Sequence, residues 1–465
     1  MTIVIMKFGG SCLVDNKAFS KIFNITELYN KQKKVYVVSA FNSITDILLN
    51  TALQVKDMKK VDENMALIEK RHMVVIEQIF DEESPHYINA KDWVDDKLSE
   101  LENVFADVKE FGLEPYYQDY ILSFGEILST YILNQYLLSK GLDSLFISAN
   151  NLIITNDEFN NAYPLYNLTN ARVKTQIVPF IENPIKDTIF CVTGFVGRNK
   201  IGYITTLGRG GSDYTATILA RAIYEESSDK DVKVILWKDI DGLLAINPKY
   251  VPESNLIKSI DYKEAKAIAN FGAKVLHPKC LEAIEKKQIP LEIRNFDKPE
   301  EEANFTRITS ESDVQQIKGI SAEEEGTIIT IISGTMVDIP GVLGKIFKVM
   351  GKNGISVSFV AQSSTEISTS FVVKSEDTEK AINALNDEYF GSDFFELKWE
   401  TISIINITGL KVLDNKTKVQ IFSALDKKGI DVKAISQSYE ELNISIVVEK
   451  EKMIDAIKAI HDEIE

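Results

Sequence analysis

Short apolar runs alternate with helix-patterned stretches along residues 1–300 of the chain. Continuous apolar runs of about 4–8 residues are typical of strands that are buried on both faces. We predict strands at residues 3–8, 35–40, 144–148, 188–193, 203–207 and 232–237, with helix patterns between them that include 16–31, 57–107 and 216–224. The alternation predicts an α/β sandwich with a mostly parallel central sheet and helices on both faces. The charged helical stretch 57–107 is interpreted as an insertion without chemistry of its own.

A different pattern follows an acidic, linker-like run at residues 298–304, and it occurs twice. Each copy reads strand, helix, strand, strand, helix. The first copy covers 327–333, 340–352, 355–362, 367–374 and 378–387, and the second covers 401–408, 416–428, 430–437, 442–449 and 452–464. The copies share Gly354-Ile-Ser-Val with Gln362-Ser, and Gly429-Ile-Asp-Val with Gln437-Ser.

The second copy lacks a fourth strand, whereas residues 394–399 can provide one for the first copy. We predict that residues 314–320 supply the missing strand from upstream, so that the first copy is inserted in the second. The predicted domains are residues 1–300, a linker at 301–313, the first repeat at 327–399, and the second repeat at 314–326 plus 400–465.

Composition narrows the possible partners. The chain has 465 residues, 45% of them hydrophobic, and a formal net charge of −17, which argues against nucleic acid and anionic membranes as partners. No apolar run approaches the roughly 20 residues of a membrane span, and residues 1–7 read as a strand rather than a signal peptide. The scattered Cys12, Cys191 and Cys280 indicate a reducing cytoplasm. The four histidines lack metal-ligand spacing, so we predict no protein-bound metal.

The stretch from Thr205 to Ala216, Thr-Thr-Leu-Gly-Arg-Gly-Gly-Ser-Asp-Tyr-Thr-Ala, carries candidate chemistry between a predicted strand and a predicted helix. Glycines let the backbone approach a ligand closely, and Arg209 can bind a carboxylate or phosphate through two parallel hydrogen bonds. Asp213 can cap the helix or orient a cation or an amine. An ordinary strand–turn–helix connection is the alternative, but an arginine and an aspartate beside the glycines favour an anion-binding site.

Lys7-Phe8-Gly9-Gly10-Ser11 closes the first predicted strand and is a second phosphate-binding candidate. The lysine precedes the glycines, so the motif is not the nucleotide P-loop. A surface lysine before a turn is the alternative.

Glu126 lies in apolar sequence, at residues 120–126, just before a helix pattern that runs to Leu138. A buried carboxylate needs a partner, and a ligand ammonium group is one candidate. A solvent-facing glutamate is the alternative.

Together, residues 7–11, residues 205–216 and the run Phe-Gly-Ala-Lys-Val-Leu-His-Pro at 271–278 resemble the motifs of aspartokinases. The C-terminal repeats resemble the tandem ACT domains of these enzymes, so the likeness covers essentially the whole chain. It implies an amino-acid-kinase-like sandwich followed by two α+β, ferredoxin-like ACT domains. It also implies that the protein uses MgATP to phosphorylate the β-carboxylate of L-aspartate, the first step toward lysine, threonine and methionine. Feedback control would come from an amino acid bound at the ACT domains.

The resemblance also implies roles for individual residues. Lys7 and Asp213 would be catalytic: Lys7 would stabilise the transferring phosphoryl group, and Asp213 would hold Lys7 and the substrate ammonium group. Arg209 would take the α-carboxylate of aspartate and Glu126 its α-amino group. The implied phosphate-binding residues are Gly9, Gly10 and Ser11, and the substrate-binding residues are Ser39, Thr45, Glu126, Arg209 and Asp213. The implied nucleotide-binding residues are Lys7, Gly10, Lys238, Asp239, Leu244, Lys249 and Lys274, and the effector-binding residues are Gln362 and Gln437.

The chain departs from the aspartokinase motifs at three places. Ser11-Cys12 stands for the usual Thr-Ser, and Lys238-Asp239 for the usual Thr-Asp. Residues 244–249, Leu-Ala-Ile-Asn-Pro-Lys, stand for the usual Tyr-x-x-Asp-Pro-Arg. The last two changes fall on the adenine side of the nucleotide, whereas the residues of the transfer centre are kept.

Two other functions remain open alternatives. A related amino acid kinase could act on another carboxylate, such as N-acetylglutamate, although a free ammonium partner at Glu126 and the ACT pair disfavour it. A catalytically weak or silent amino-acid sensor on the same fold is motivated by the altered residues 238–249. The implied effector is threonine or lysine, and the ACT domains imply a homodimer or larger homo-oligomer.

Overall fold

The computed structural model describes residues 1–183, 185–270, 275–300, 304–311, 317–333, 341–365, 367–389, 396–412, 414–437 and 442–464. The chain divides into two compact units. The first comprises Met1–Leu243, Leu256–Tyr262 and Val275–Ser312, and the second comprises Leu244–Asn255, Lys263–Lys274 and Asp313–Glu465.

An eight-stranded, mostly parallel sheet organises the first unit. Its strands are β1 (Ile3–Phe8), β2 (Lys33–Val38), β3 (Ser144–Ile147), β5 (Ile189–Thr193), β8 (Val232–Lys238), β9 (Ser259–Asp261), β10 (Leu291–Asn295) and β11 (Thr306–Thr309). They lie in the order β3-β5-β2-β1-β8-β10-β11-β9, and the β10–β11 pair is antiparallel while the other neighbours are parallel. β1, β2 and β5 are buried along their whole length, as their continuous apolar sequences predict. The predicted α/β class is confirmed.

Helices cover this sheet. They are α1 (Asn16–Leu28), α2 (Ile44–Leu53), α3 (Met58–Ile79), α4 (Pro85–Phe111), α5 (Pro115–Ser139), α6 (Tyr166–Gln176), α7 (Val178–Ile181), α8 (Gly211–Glu226) and α10 (Pro278–Glu285); α9 (Tyr262–Asn270) continues into the second unit. The charged stretch 57–107 forms α3 and α4, whose apolar stripes join the core that α1, α2 and α5 build on β1 and β2. The charges of α3 and α4 therefore belong to the outer face of packed helices.

Two helices begin earlier than the sequence predicts. α5 begins at Pro115, so Glu126 lies inside the helix and not before it. Gly125 is no helix boundary: a Cβ there would lie 2.8 Å from the Cβ of Ala40, so glycine allows α5 to pack closely against the loop after β2. α8 begins at Gly211 because Gly210, with φ of 71°, turns the chain directly into the helix.

The run predicted as a strand at 203–207 lies outside the central sheet. It forms β7 (Ile204–Thr206), which joins β6 (Val196–Asn199) and β4 (Ile154–Thr155) in a separate three-stranded sheet. β6 and β7 are antiparallel. Three residues of apolar or threonine sequence do not distinguish a hairpin strand from a short parallel one.

A six-stranded antiparallel sheet organises the second unit. Its strands are β12 (Gly319–Ile332), β13 (Val357–Gln362), β14 (Ser368–Val373), β15 (Glu396–Thr408), β16 (Ala434–Ser436) and β17 (Asn443–Glu449), in the order β13-β14-β12-β15-β17-β16. Its helices are α11 (Val342–Lys352), α12 (Thr378–Tyr389), α13 (Asn415–Lys427) and α14 (Met453–Ile464).

Two long strands pass through both sequence repeats. Of the strands predicted at 314–320 and 327–333, residues 319–320 and 327–332 belong to one strand, β12, and of those predicted at 394–399 and 401–408, residues 396–399 and 401–408 belong to β15. Residues 314–316 and 394–395 lie outside the described residues. Along this pair, Gly319 faces Thr408 and Ile332 faces Glu396, with a shift of register between Glu323 and Gly326. The upstream part of β12, residues 319–323, thus pairs with residues 404–408 of β15. The prediction of separate strands was wrong because an irregularity within a strand resembles a break in the sequence pattern.

Part of the sequence that precedes residue 300 packs with this second unit. Ile246, Tyr250 and Val251 lie in the same core as α13 and α14, and the N–H of Ile320 on β12 donates to the carbonyl of Ala245 at 2.8 Å. The second compact unit therefore includes segments from before residue 300 as well as the chain from Asp313 onward. The four-segment domain division stays a prediction.

Candidate active site

Three charged side chains meet at the carboxyl ends of neighbouring strands β1 and β8. Lys7 is the next-to-last residue of β1, Lys238 is the last residue of β8, and Asp213 lies in the first turn of α8. Lys7 Nζ forms an ion pair with Asp213 Oδ1 at 2.8 Å, and Lys238 Nζ donates to Asp213 Oδ2 at 2.8 Å. This edge is where parallel α/β proteins bind their ligands.

Lys7 and Asp213 are buried, and Lys238 is half-buried beside them. Burial raises the pKa of the Asp213 carboxyl, but the ammonium groups of Lys7 and Lys238 outweigh burial and lower the pKa to about 2. Burial lowers the pKa of Lys7, and the Asp213 carboxylate outweighs it, so the pKa lies above its usual value. Two ammonium groups around one carboxylate leave a net positive charge, which suits a phosphoryl group.

The Gly9-Gly10 turn places half-buried backbone beside Lys7 and packs closely against the loop after β2. A Cβ at Gly10 would lie 2.8 Å from the Ala40 carbonyl oxygen, so a side chain there would displace the loop after β2. A Cβ at Gly9 would lie 3.4 Å from Lys7 Nζ. Ser11 follows in an exposed position. This arrangement fits the phosphate-binding role that the resemblance implies for these residues.

Glu126 lies close to the cluster, inside α5, with 4% of its surface exposed. Burial raises its pKa to about 8, and the backbone of Ala40, the charge of Lys7 and the side chain of Ser212 offset burial only in part. Its Oε2 atom has no hydrogen-bond partner among the described residues. A buried carboxylate oxygen without a partner is suited to the ammonium group of a ligand.

Arg209 stands between two glycines with left-handed backbone, Gly208 at φ 76° and Gly210 at φ 71°. Side chains at these glycines would clash, since a Cβ at Gly210 would lie 2.7 Å from His277 Cβ. The Arg209 side chain is exposed, and in the part of the chain that the structure describes it has no hydrogen bond or ion pair. Its guanidinium is therefore available to a ligand carboxylate.

Asp119 is a fully buried aspartate of α5 that no sequence motif identified. It accepts hydrogen bonds from the backbone of Asn160 and from both the N–H and the hydroxyl of Thr206. The available signal was the same as for Glu126, a carboxylate inside an apolar helix pattern.

Two further predicted substrate residues lie near the Gly9-Gly10 turn. Ser39 follows β2, and its N–H donates to the Phe8 carbonyl at 3.1 Å. Thr45 is half-buried in the first turn of α2. The loop that contains Ser39 and leads into α2 also contains Ala40, which packs against Gly10.

The predicted nucleotide residues fall in different units. Asp239 is exposed directly after β8 in the first unit. Leu244 and Lys249 belong to the second unit, where Lys249 Nζ pairs with Glu324 Oε1 of β12 at 2.7 Å. Lys274 lies outside the described residues.

The predicted effector residues are at equivalent strand ends. Gln362 is the last residue of β13, Gln437 directly follows β16, and both are exposed. β13 and β16 are the two edge strands of the six-stranded sheet. They approach each other because apolar residues of β12, β13 and β14 share a core with apolar residues of β15 and β17.

Among the residues that the structure describes, no three His, Cys, Asp or Glu side chains are grouped to hold a metal ion. None of the helices in the described ranges has the length and apolar character that crossing a membrane requires.

The sequence matches the profile of the amino acid kinase family over residues 2–295 and an ACT domain profile over residues 329–389 and 416–464. The chain belongs to the amino acid kinase family. Within it, the predicted resemblance to aspartokinases with C-terminal ACT domains is confirmed by similar sequences and folds.

Two sequence relatives show the extent of the similarity. The chain is 27% identical to the aspartokinase of Geobacillus stearothermophilus, with 99% of this chain and 97% of that protein covered. It is 28% identical to the bifunctional aspartokinase/homoserine dehydrogenase of Buchnera aphidicola, with 98% of this chain but 56% of that protein covered. The chain thus spans about half of that bifunctional relative.

Solved aspartokinases share the fold. E. coli aspartokinase III in complex with lysine and aspartate superposes with a TM-score of 0.81 at 22% identity, covering 99% of each chain. Clostridium acetobutylicum aspartate kinase superposes with a TM-score of 0.79 at 24% identity, covering 100% of each chain.

Proposed function

We propose that this protein is an aspartate kinase that converts L-aspartate and MgATP to 4-phospho-L-aspartate and ADP. The observation that carries the proposal is the Lys7–Asp213–Lys238 cluster beside the buried Glu126, which has a carboxylate oxygen without a partner in the described chain. The cations fit a phosphoryl group, and the free carboxylate oxygen fits the ammonium group of an amino acid. E. coli aspartokinase III, which shares the fold, has been crystallised with aspartate and ADP.

In the proposed reaction, a β-carboxylate oxygen of aspartate attacks the γ-phosphorus of ATP. The bond from that phosphorus to the bridging oxygen breaks, and ADP leaves with the electron pair. No general base is needed, because the attacking carboxylate is ionised near neutral pH. The protein's tasks are positioning and charge neutralisation.

We assign the transfer centre to Lys7 and Asp213, with Gly9, Gly10 and Ser11 around the phosphoryl group. Arg209 takes the α-carboxylate of aspartate and Glu126 its α-amino group, with Ser39 and Thr45 completing the pocket. Lys238, Asp239, Leu244, Lys249 and Lys274 are the proposed nucleotide contacts. The pairing of Lys238 with Asp213 supports a contact with phosphate rather than adenine. Mg²⁺ enters with ATP as part of the substrate.

The ACT repeats are proposed to bind threonine or lysine as a feedback effector, through Gln362 and Gln437, and to join chains in a homo-oligomer. We also propose that residues 301–313 are a linker and that the first repeat is inserted in the second. The free, buried cysteines support a cytoplasmic location.

The test is ATP turnover with L-aspartate, in which hydroxylamine traps the acyl phosphate, with and without threonine or lysine. Turnover with aspartate but not N-acetylglutamate, suppressed by one of the two amino acids, is the expected result. No turnover, with thermal stabilisation by one amino acid, would identify the protein as a sensor on the same fold.

Arg209→Ala is expected to raise the KM for aspartate by about 30–100-fold with little change in kcat, because it removes charge-assisted bonds to the substrate in both ground and transition states. Steady-state kinetics with varied aspartate measures this. Arg172→Ala, at an exposed position of α6, is the matched control and should leave the KM unchanged. An unchanged KM in Arg209→Ala would remove this residue from the substrate site.

Glu126→Gln is expected to stabilise the fold at pH 8 while weakening aspartate binding. The folded-state pKa of about 8 exceeds the ordinary value of 4.5, so the unfolded chain binds fewer protons between these values and stability falls as pH rises through this window. The amide removes that cost, so the variant should gain about 1–3 kcal/mol over the wild type at pH 8 and little at pH 5. Urea unfolding at both pH values measures the gain. An equal difference at both pH values would contradict this account.

A further inference from the structure

Asp119 is a buried carboxylate whose partners are all neutral donors. Its side chain is fully buried in α5. The N–H of Asn160 lies 3.1 Å from Oδ1 and 2.9 Å from Oδ2, the N–H of Thr206 lies 2.8 Å from Oδ2, and the Thr206 hydroxyl lies 2.7 Å from Oδ1. No ion pair of Asp119 occurs among the described residues. Burial raises its pKa, and these bonds offset burial only in part. Burying a carboxylate without a cationic partner destabilises the folded protein. We therefore ask which part of the site the Asp119 hydrogen bonds hold in place.

The two partners of Asp119 adjoin the N-terminal side of the loop that carries Arg209. Thr206 ends β7, two residues before Gly208. Ala162 donates its N–H to the Thr206 carbonyl at 2.9 Å, so the turn that begins at Asn160 is tied to the same strand end. A Cβ at Gly208 would lie 2.8 Å from Asn161 Oδ1 in that turn. The strand end and the turn that contact the Arg209 loop are therefore both hydrogen-bonded to the Asp119 carboxylate.

Glu126 lies on the same helix, seven residues after Asp119. Seven residues make close to two turns of an α-helix, about 10.5 Å along the axis, so both carboxylates lie on one face. One helix thus carries the proposed acceptor of the substrate's ammonium group and the anchor of the loop with the proposed acceptor of its α-carboxylate.

We propose that Asp119 is a positioning residue that fixes the Arg209 loop at the correct distance from Glu126 and thereby sets the affinity for the α-amino and α-carboxylate groups of the substrate. The inference rests on the proposed function. Asp119 does not touch the reacting atoms; it acts through Arg209.

The test is Asp119→Asn in the full-length protein, with varied aspartate and saturating MgATP. The amide nitrogen of asparagine would face the N–H groups of Asn160 or Thr206, so at least one bond is lost without loss of volume. The KM for aspartate is expected to rise tenfold or more, with kcat changed less than threefold and the KM for ATP unchanged. The control Glu292→Gln alters another buried carboxylate, on β10, that pairs with Arg294 and Arg307, and it should leave the KM for aspartate unchanged.

A double-mutant cycle separates positioning from general damage to the fold. If Asp119 acts through Arg209, adding Asp119→Asn to Arg209→Ala should not raise the KM further, because the group that Asp119 places is already absent. Additive effects on the KM would overturn the proposal.

Thr206→Val decides the matter if Asp119→Asn does not fold. It removes only the hydroxyl bond to Oδ1 and keeps the side-chain shape. The KM for aspartate should rise about threefold, in the same direction and with kcat kept. An unchanged KM in Thr206→Val, or in a folded Asp119→Asn, refutes the positioning role. If the wild type itself makes no acyl phosphate, the proposed function has failed. Failure of the positioning role looks different, because the wild type is then active and the variants keep its KM for aspartate.

Discussion

Lys7→Ala is expected to lower kcat for aspartyl phosphate formation by about 10²–10³-fold while the protein stays folded. Lys7 is held beside the Gly9-Gly10 turn by Asp213, so its ammonium group is fixed before the substrates arrive. A preorganised charge stabilises the developing charge of the phosphoryl group in the transition state more than that of ATP in the ground state. Loss of the charge should therefore appear mainly in kcat.

Lys34→Ala is the matched control for Lys7→Ala. Lys34 lies on the adjacent strand β2, is 2% exposed, and pairs with Asp187 at 2.9 Å. Removing either lysine deletes a buried, paired cation of the same sheet, but only Lys7 is proposed to meet a phosphoryl group. Circular dichroism and the hydroxylamine assay on both variants compare folding with turnover. A near-normal rate in Lys7→Ala would refute the assignment of the transfer centre.

The sequence predicted the α/β class and the residue types of the site because both depend on local signals. Continuous apolar runs predicted β1, β2 and β5, and the glycines marked the turns after β1 and before α8. Lys7, Glu126 and Asp213 were identified as residues in motifs. Their mutual distances were not predictable, since strand order and helix packing bring them together across the sheet.

The contact between Lys238 and Asp213 could not be predicted from sequence motifs. Alignment with the aspartokinase motifs placed this lysine among nucleotide contacts. The structure shows that its ammonium group reaches Asp213 and shares that carboxylate with Lys7. The contact depends on β1 and β8 being neighbours, a fact of topology that no local pattern carries.

The sequence also does not distinguish the roles of Asp119 and Glu126. Its sequence environment resembles that of Glu126, and both are buried in α5. One carboxylate is bound by four hydrogen-bond contacts from Asn160 and Thr206, whereas the other has an oxygen without a described partner. Only tertiary structure distinguishes a satisfied carboxylate from one that awaits a ligand.

Asp213→Asn is expected to lower kcat by about 10²–10³-fold and also to destabilise the protein at neutral pH. The amide leaves the ammonium groups of Lys7 and Lys238 close together without a counter-charge. Their repulsion disorders the group that must meet the phosphoryl oxygens, and it also favours the unfolded chain.

The pH dependence of unfolding tests the origin of this destabilisation. In the wild type the folded-state pKa of Asp213, about 2, lies below its ordinary value of 3.8. The folded chain therefore binds fewer protons than the unfolded chain between these values. The stabilisation from Asp213 is fully present above the ordinary value and is lost as pH falls through about 2, and the asparagine variant should lack this acid limb.

Glu292→Gln again serves as the control, because Glu292 is a buried carboxylate with two cationic partners outside the site. It should lose stability without losing turnover, whereas Asp213→Asn should lose both. Urea unfolding between pH 2 and pH 8, paired with the hydroxylamine assay at pH 8, separates the two cases. Equal retention of turnover in the two variants would mean that Asp213 stabilises the fold and takes no part in transfer.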